Sequence, residues 1–246
     1  MANDVLIPST FRNYKAVLVL VSLIAVSIII SFLIAANGTT IGFIILALLI
    51  ALPIVFRSFM NVEFGFYVAI GYSYFLFVLY RLLSGAIPTG LGLDLLAIIL
   101  FAGILTAEIR SGKTDWSYFK NPVTYCFIIF QLYNVLQALN PNAVSLAAWA
   151  TSVRAIIIDS VLYFIFVKVI ISLDVIKRFT KLWLFLALLA AMYSIKQEIF
   201  GYADFEWRDI YSNPDTLGLI QNWGILRKFS FLSDVAIFGI TMAVAG

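Results

Sequence analysis

Seven blocks of almost unbroken apolar sequence follow one another along the chain, separated by short polar connections. They are Ala16–Ala36, Thr40–Phe56, Phe64–Leu83, Leu91–Ala107, Val123–Leu139, Ala155–Leu173 and Leu182–Phe200. A helix needs about 20 mostly apolar residues to cross the hydrocarbon of a bilayer, and each block comes close to that length. An eighth block begins near Val235 and has only about 12 residues before Gly246, short of the ~20 a crossing needs. No polar residues follow it, so it reads as a helix cut short in an N-terminal fragment. The run from Ala16 is too long for the apolar core of a secretory signal, and Ala35-Ala36-Asn37 is a poor cleavage site, so it counts as the first span. The pattern predicts an all-α polytopic membrane protein. It would have seven full transmembrane helices plus a truncated eighth, in one transmembrane domain over residues 1–246 that is incomplete at its C-terminus.

One connection breaks the pattern. Residues 201–234, GYADFEWRDIYSNPDTLGLIQNWGILRKFSFLSD, hold acids, three basic residues, Trp207, Trp223 and other aromatics between the last two apolar blocks. Chemistry in a chain of this kind belongs where charge is kept, so this segment is the first place to look for function.

Composition narrows the chemistry. The chain is 63% hydrophobic and 12% charged, where soluble domains carry roughly 25% charged residues. A net charge of +3 from 16 basic residues is too diffuse for a nucleic-acid groove. There is no histidine, which removes the commonest general base and metal ligand. The single cysteine, Cys126, rules out an intrachain disulfide.

Lys and Arg near helix ends set orientation. With the N-terminus in the cytoplasm, the inner connections hold nine (Arg12, Lys15, Arg57, Arg110, Lys113, Lys120, Lys177, Arg178, Lys181). The outer ones hold six (Arg81, Arg154, Lys196, Arg208, Arg227, Lys228). The bias favours N-inside and makes residues 201–234 an outer connection, periplasmic in a bacterium.

Ionisable residues inside the hydrocarbon are expensive and point to function unless they are satisfied otherwise. Lys168 lies about a turn from an inner helix end, where it can snorkel. Asp159 lies about a turn below the outer mouth of the sixth span. It serves either a structural ion pair with another helix or a site. Arg81, Asp94, Arg154, Lys196 and Glu198 all fall near outer helix ends. They read either as interfacial anchors or as a charged cup completed by Arg208, Arg227, Lys228 and Asp234. Such a cup suits an anionic lipid head group, because guanidinium forks bind phosphate oxygens in pairs. Gln131, Asn134 and Gln137 share a face of the fifth span, for interhelical hydrogen bonds or for lining a polar cavity.

Some patterns lead nowhere. Ser111-Gly112-Lys113-Thr114 looks like the tail of a phosphate-binding loop, but Ala107 stands where its first glycine belongs and an apolar span precedes it. Gly38 and Gly42 form a GxxxG at a helix mouth, and Asn37-Gly38-Thr39 is a formal glycosylation sequon. There is no internal repeat of the kind that builds many transporters.

From Lys181 onward the chain resembles the O-antigen ligase and O-antigen polymerase superfamily of bacterial membrane glycosyltransferases. The residues that carry the resemblance are Met192 to Gln197 with Phe200-Gly201, Phe205-Glu206-Trp207-Arg208, and Arg227 to Asp234 with Phe238-Gly239. Asn140-Pro141-Asn142 through Trp149 and Arg154 resembles an outer connection of some members. The hydropathy match covers most of the chain and the motif match about a quarter. The Arg-x10-Gly spacing of the polymerases is not reproduced: Arg208 to Gly218 is one residue short and Arg227 to Gly239 one too long.

The resemblance implies a GT-C-like membrane architecture in the bacterial inner (cytoplasmic) membrane. It implies glycosyl transfer at the periplasmic face from an undecaprenyl-pyrophosphate-linked glycan, in O-antigen or surface polysaccharide biosynthesis. The acceptor would be lipid A-core for a ligase or another lipid-linked repeat unit for a polymerase. No metal or cofactor is implied. Arg227, Arg154, Arg208 and Lys196 would bind the pyrophosphate and stabilise charge on the leaving group, with Asp234 and Asp159 in support. Asp234 could equally be a helix N-cap. Trp207 and Trp223 would stack on sugars or form part of an interfacial belt. Two other classes stay open: a transporter or flippase of a lipid-linked or anionic solute, and a non-catalytic partner in envelope assembly.

Overall fold

The computed structural model describes residues 9–37, 39–83, 88–112, 116–139, 145–212, 217–218 and 220–246. The chain is all-α apart from one two-stranded hairpin. It divides into two compact units, Met1–Ile54 and Val55–Gly246.

The first unit holds α1 (Ser9–Asn37) and the start of α2 (Thr39–Met60). The apolar run of α1 is exposed on all sides, with Leu18, Leu23 and Phe32 uncovered. A helix apolar all round has no face suited to water. Within this unit, a Cβ added to Gly42 would stand 3.4 Å from Ile34, so α2 passes close to α1 there.

The second unit is a helical bundle. Its main helices are α3 (Val62–Leu82), α4 (Gly90–Ser111), α5 (Pro122–Leu136), α6 (Leu146–Val169) and α7 (Leu173–Phe200). A single 3₁₀ turn extends α5 to Leu139. Asn61, Asn121 and Ser172 start α3, α5 and α7 by accepting the N–H of Phe64, Thr124 and Val175. Beyond α7 come the short α8 (Asp204–Ser212), strands β1 (Gln221–Asn222) and β2 (Ile225–Leu226), and α9 (Val235–Ala245).

Among the described residues, three helices are long and apolar enough to cross a membrane: the α1 run Ala16–Ala36, α3 and α4. The chain is therefore compatible with a helical membrane protein. Each predicted apolar block falls on a helix, but several boundaries move, the starts of the sixth and seventh furthest. The sixth block was expected to start at Ala155, and α6 starts at Leu146, because Ala147, Ala148 and Ala150 are strong helix formers that hydropathy alone does not separate from a connection. The seventh was expected from Leu182, and α7 starts at Leu173, where a charged turn with Asp174, Lys177, Arg178 and Lys181 precedes the apolar part. Gly38, Lys113, Thr114 and Asn140 to Asn142 lie outside the described residues.

The core of the bundle joins α3, α4 and α6, with Phe66, Ala69, Ala97, Leu100 and Ile165 at its centre and Val175 of α7 closing it. Ion pairs sit at the two ends. At one end, Glu63 meets Arg178 at 2.9 Å and Glu108 meets Lys168. At the other, Arg154 donates to Asp94, with Nε at 2.8 Å. These pairs show that α4 and α6 run parallel, as do α3 and α7. Lys168 therefore does not reach out along the hydrocarbon as expected. Its ammonium is tied to Glu108 and lies 5.2 Å over the Trp116 ring.

Close approach between helices rests on glycine. A Cβ on Gly103 would lie 2.6 Å from the Phe59 carbonyl oxygen, while one on Gly71 would meet nothing within 4 Å. Gly103→Ala should therefore destabilise the protein by about 1–3 kcal/mol through overpacking. Gly71→Ala should be neutral or stabilise by up to about 1 kcal/mol through helix propensity. Thermal unfolding in detergent separates the two.

Candidate functional site

The described residues of 201–234 do not form an open loop. They fold into a cap over the ends of α3 and α7, with a small core of Tyr202, Ile210, Ile220 and Phe229. α7 stops at Phe200 because Gly201 takes φ +77, a conformation that favours glycine. Two residues on, α8 begins. Its Glu206 reaches back to accept the N–H of Ala203 at 2.7 Å, as a capping box does. The α8 face carrying Glu206, Asp209 and Ile210 turns inward, and Arg208 lies on the opposite, exposed face.

Glu206 is the centre of a buried polar cluster. It is 1% exposed, and it accepts from Gln197 Nε2 at 2.6 Å and from the Tyr193 hydroxyl at 3.1 Å, with Lys196 Nζ at 3.8 Å. Gln197, fully buried in α7, also grips Ser230 on both sides. Its Oε1 accepts the Ser230 N–H at 2.9 Å and its Nε2 donates to the Ser230 carbonyl at 3.1 Å. Ser230 sits at φ +57, and this double clamp holds it there. Its hydroxyl donates to the Ala190 carbonyl at 2.6 Å. Ala190 is ten residues before Phe200, about 15 Å down α7. Phe231 follows, stacked on Phe75 of α3 at 5.0 Å. The stretch Phe229 to Asp234 thus dips between α3 and α7 well below the end of α7.

Arg81, at the end of α3, pins this stretch from the other side. Its Nη2 donates to the carbonyls of Leu232 and Ser233, each at 2.8 Å, and its Nε pairs with Asp209 at 3.1 Å. The guanidinium lies 4.3 Å over the Phe229 ring. Asp234 then starts α9 by accepting the N–H of Ala236 and Ile237 at 2.8 and 2.9 Å. Burial pushes the Asp234 carboxyl up, but these bonds, the Ser233 hydroxyl and the Arg81 charge outweigh it and hold the group below the usual carboxylate range. Burial, followed by the charges of Glu206 and Glu198, pushes the Tyr202 hydroxyl up to about 12, so it stays a donor, here to the Arg227 carbonyl at 2.8 Å.

The expected site residues divide into three groups. Lys196, Trp207 and Asp234 belong to the cap. Lys196 donates to the Gly201 carbonyl and lies over the Tyr193 ring. It also lines a cavity of about 410 Å³ between α3 and α7, floored by Phe75, Met192 and Phe231. The Trp207 ring is stacked on Tyr211 and set edge-on to Tyr202, so it is occupied by its own neighbours. Arg208, Arg227 and Trp223 face outward. Neither guanidinium has a side-chain hydrogen bond or ion pair among the described residues, and Trp223 is 96% exposed. Arg154 and Asp159 form the third group. Arg154 is bound to Asp94, and Asp159 lies exposed near the middle of α6, not near its mouth, because the helix starts earlier than expected. No hydrogen bond or ion pair links either one to the cap among the described residues.

Comparison with protein-family models, curated proteins and solved structures gives no match. Among the described residues, no three His, Cys, Asp or Glu side chains gather as a possible metal site. What the arrangement offers chemically is two exposed arginines on the cap, neither with a side-chain partner among the described residues, and an ammonium at the mouth of an apolar cleft. The buried network of Arg81, Glu206, Gln197 and Ser230 escapes a reading by position. Its available signals are a glutamine within an apolar helix and a glutamate three residues into α8.

Arg81→Ala leaves Asp209 and two carbonyls without their donor and should cost about 3 kcal/mol or more. Trypsin should then cut faster after Arg208, Arg227 and Lys228 in detergent. Asp234→Ala should cost about 1 kcal/mol as a lost N-cap, while Asp234→Asn keeps most of it. Because the carboxyl is depressed in the folded protein, the part of its contribution that depends on charge is complete above its unfolded pKa, about 3.9. That part is lost as pH falls through the lower folded value. The gap between thermal melts of the wild type and Asp234→Ala should therefore be widest at neutral pH and narrow in strong acid.

Proposed function

We propose that this chain belongs to a glycosyltransferase acting at the outer face of a bacterial inner membrane, with seven full crossings and the N-terminus in the cytoplasm. The donor is a glycan on undecaprenyl pyrophosphate. The acceptor is lipid A-core in a ligase or a second lipid-linked repeat unit in a polymerase. The observation that carries this reading is the cap itself: Arg208 and Arg227 are exposed, without a side-chain partner among the described residues, on a scaffold fixed by Arg81, Gln197 and Glu206. Free guanidinium forks on a rigid support suit the oxygens of a pyrophosphate. They would stabilise the charge that grows on it as the sugar leaves. Lys196 supports the same reading, since it heads an apolar cleft of a kind that takes a lipid chain. Arg154 enters only if substrate displaces it from Asp94. Neither tryptophan is required, because the Trp207 ring is already packed and the reading rests on the charges.

A second reading, transport of a lipid-linked or anionic solute, draws on Asp159. An exposed carboxylate in mid-helix is the kind of residue that marks a path through a membrane.

In cells making the glycan, Arg227→Ala and Arg208→Ala should each reduce transfer by about 10²-fold, the scale of losing one transition-state donor. Protein level should hold, because exposed substitutions change stability by at most about 0.5 kcal/mol. Surface glycan unchanged in both variants would overturn the reading. Accumulated lipid-linked intermediates assign the acceptor: long chains for a ligase, single repeat units for a polymerase. If Asp159→Asn alone abolishes glycan export while both arginine variants are active, the transport reading takes its place.

A further inference from the structure

The hairpin of the cap contains a residue that folding alone does not explain. Gln221 pairs with Leu226 and Asn222 with Ile225, leaving a two-residue turn of Trp223 and Gly224. Both have positive φ, 51 and 78. This is the type I′ geometry, which favours Asn-Gly. A tryptophan in the left-handed region is held there against its preference. Nothing among the described residues compensates, because Trp223 is 96% exposed and its neighbour Ile225 is 70% exposed.

The surroundings of the tip are specific. The hairpin base is fixed in the cap core, where Ile220 is buried and its carbonyl accepts the Arg227 N–H at 3.0 Å. That core includes Tyr202, two residues past the end of α7, where the exposed apolar surface of Ile199 and Phe200 stops. The hairpin thus leaves the cap at the level where the apolar belt of α7 gives way to polar sequence. Arg227, exposed, lies three residues past the turn, and the next residue, Lys228, is paired with Glu198 at 3.2 Å. An exposed indole and an exposed aliphatic side chain two residues apart, with a cation close behind them, match the chemistry of the boundary between acyl chains and head groups. The Arg227 cation suits anionic lipid.

We propose that the Trp223 tip is a membrane-interface anchor that seats the cap against anionic lipid head groups. The indole and Ile225 enter the head-group layer, with Arg227 at its edge. The anchor rests on the membrane character of the chain and on Trp223 and Ile225; it shares only Arg227 with the transferase reading, and its test reads Trp223, so either can fail without the other.

The test uses the whole chain in vesicles of phosphatidylcholine with phosphatidylglycerol, and in detergent. The emission lost in Trp223→Phe isolates the signal of Trp223 from the other four tryptophans. That signal should be blue-shifted in vesicles, quenched by lipid brominated near the head group and shielded from iodide. The shift should weaken in vesicles of phosphatidylcholine alone. Trp223→Asn, which suits the turn, should speed trypsin cleavage after Arg227 and Lys228 in vesicles and leave it unchanged in detergent. A red emission open to iodide and untouched by brominated lipid would overturn the anchor. So would protection that appears only when soluble oligosaccharide is added, which would make Trp223 a sugar-stacking residue.

Discussion

Backbone that is neither helix nor sheet must still have its hydrogen bonds made when it is buried among apolar helices. The stretch Arg227 to Asp234 meets that demand largely through side chains. Tyr202 takes the Arg227 carbonyl, Gln197 takes both groups of Ser230, and Arg81 takes the carbonyls of Leu232 and Ser233. Asp234 then accepts the first N–H groups of α9. Each of these side chains is unusual where it stands, and each makes sense once the backbone it serves is known. A glutamine inside an apolar helix acts as a piece of β-ladder. An arginine at a helix end acts as a double N–H donor. The cap depends on α3 and α7, because its backbone is completed by their side chains.

The same economy governs charge. In the second unit, Glu63–Arg178 and Glu108–Lys168 lie at one end of the bundle and Asp94–Arg154 and Arg81–Asp209 at the other. The helix centres between them are left to Leu100, Ile165 and other hydrocarbon. Pairing at the ends keeps most of the desolvation cost of charge out of the core. Asp159 departs from this rule, since it lies exposed near the middle of α6. That departure is why it keeps an alternative function open.

Hydropathy made the helices legible because burying apolar side chains is a local demand, readable residue by residue. It misjudged the starts of α6 and α7, where alanines and an amphipathic charged turn continue a helix past its apolar part. The N-cap at Asp234 was readable from an acid placed directly before an apolar run. The interior of the cap was not, because its partners are far apart in sequence: 33 residues between Gln197 and Ser230, and 128 between Arg81 and Asp209. Arg81 therefore read as one of several surface anchors, although it is the pin of the cap. Arg154 read as a site residue because its position near a helix mouth is visible and its engagement with Asp94 is not. The exposed arginines Arg208 and Arg227 were readable as charges but not as free ones, since freedom depends on every neighbour.

The two ion pairs between α4 and α6 have one more property. Asp94 to Arg154 and Glu108 to Lys168 are each separated by 60 residues along the chain. Two bolts at equal offset, about 21 Å apart along parallel helices, fix one register. A slip of α6 by a single turn would unfasten both at once. Shear between these helices is therefore a forbidden motion, whereas rotation about the line joining the bolts is not. Any change of shape that substrate or lipid imposes on this part of the molecule has to pivot, not slide.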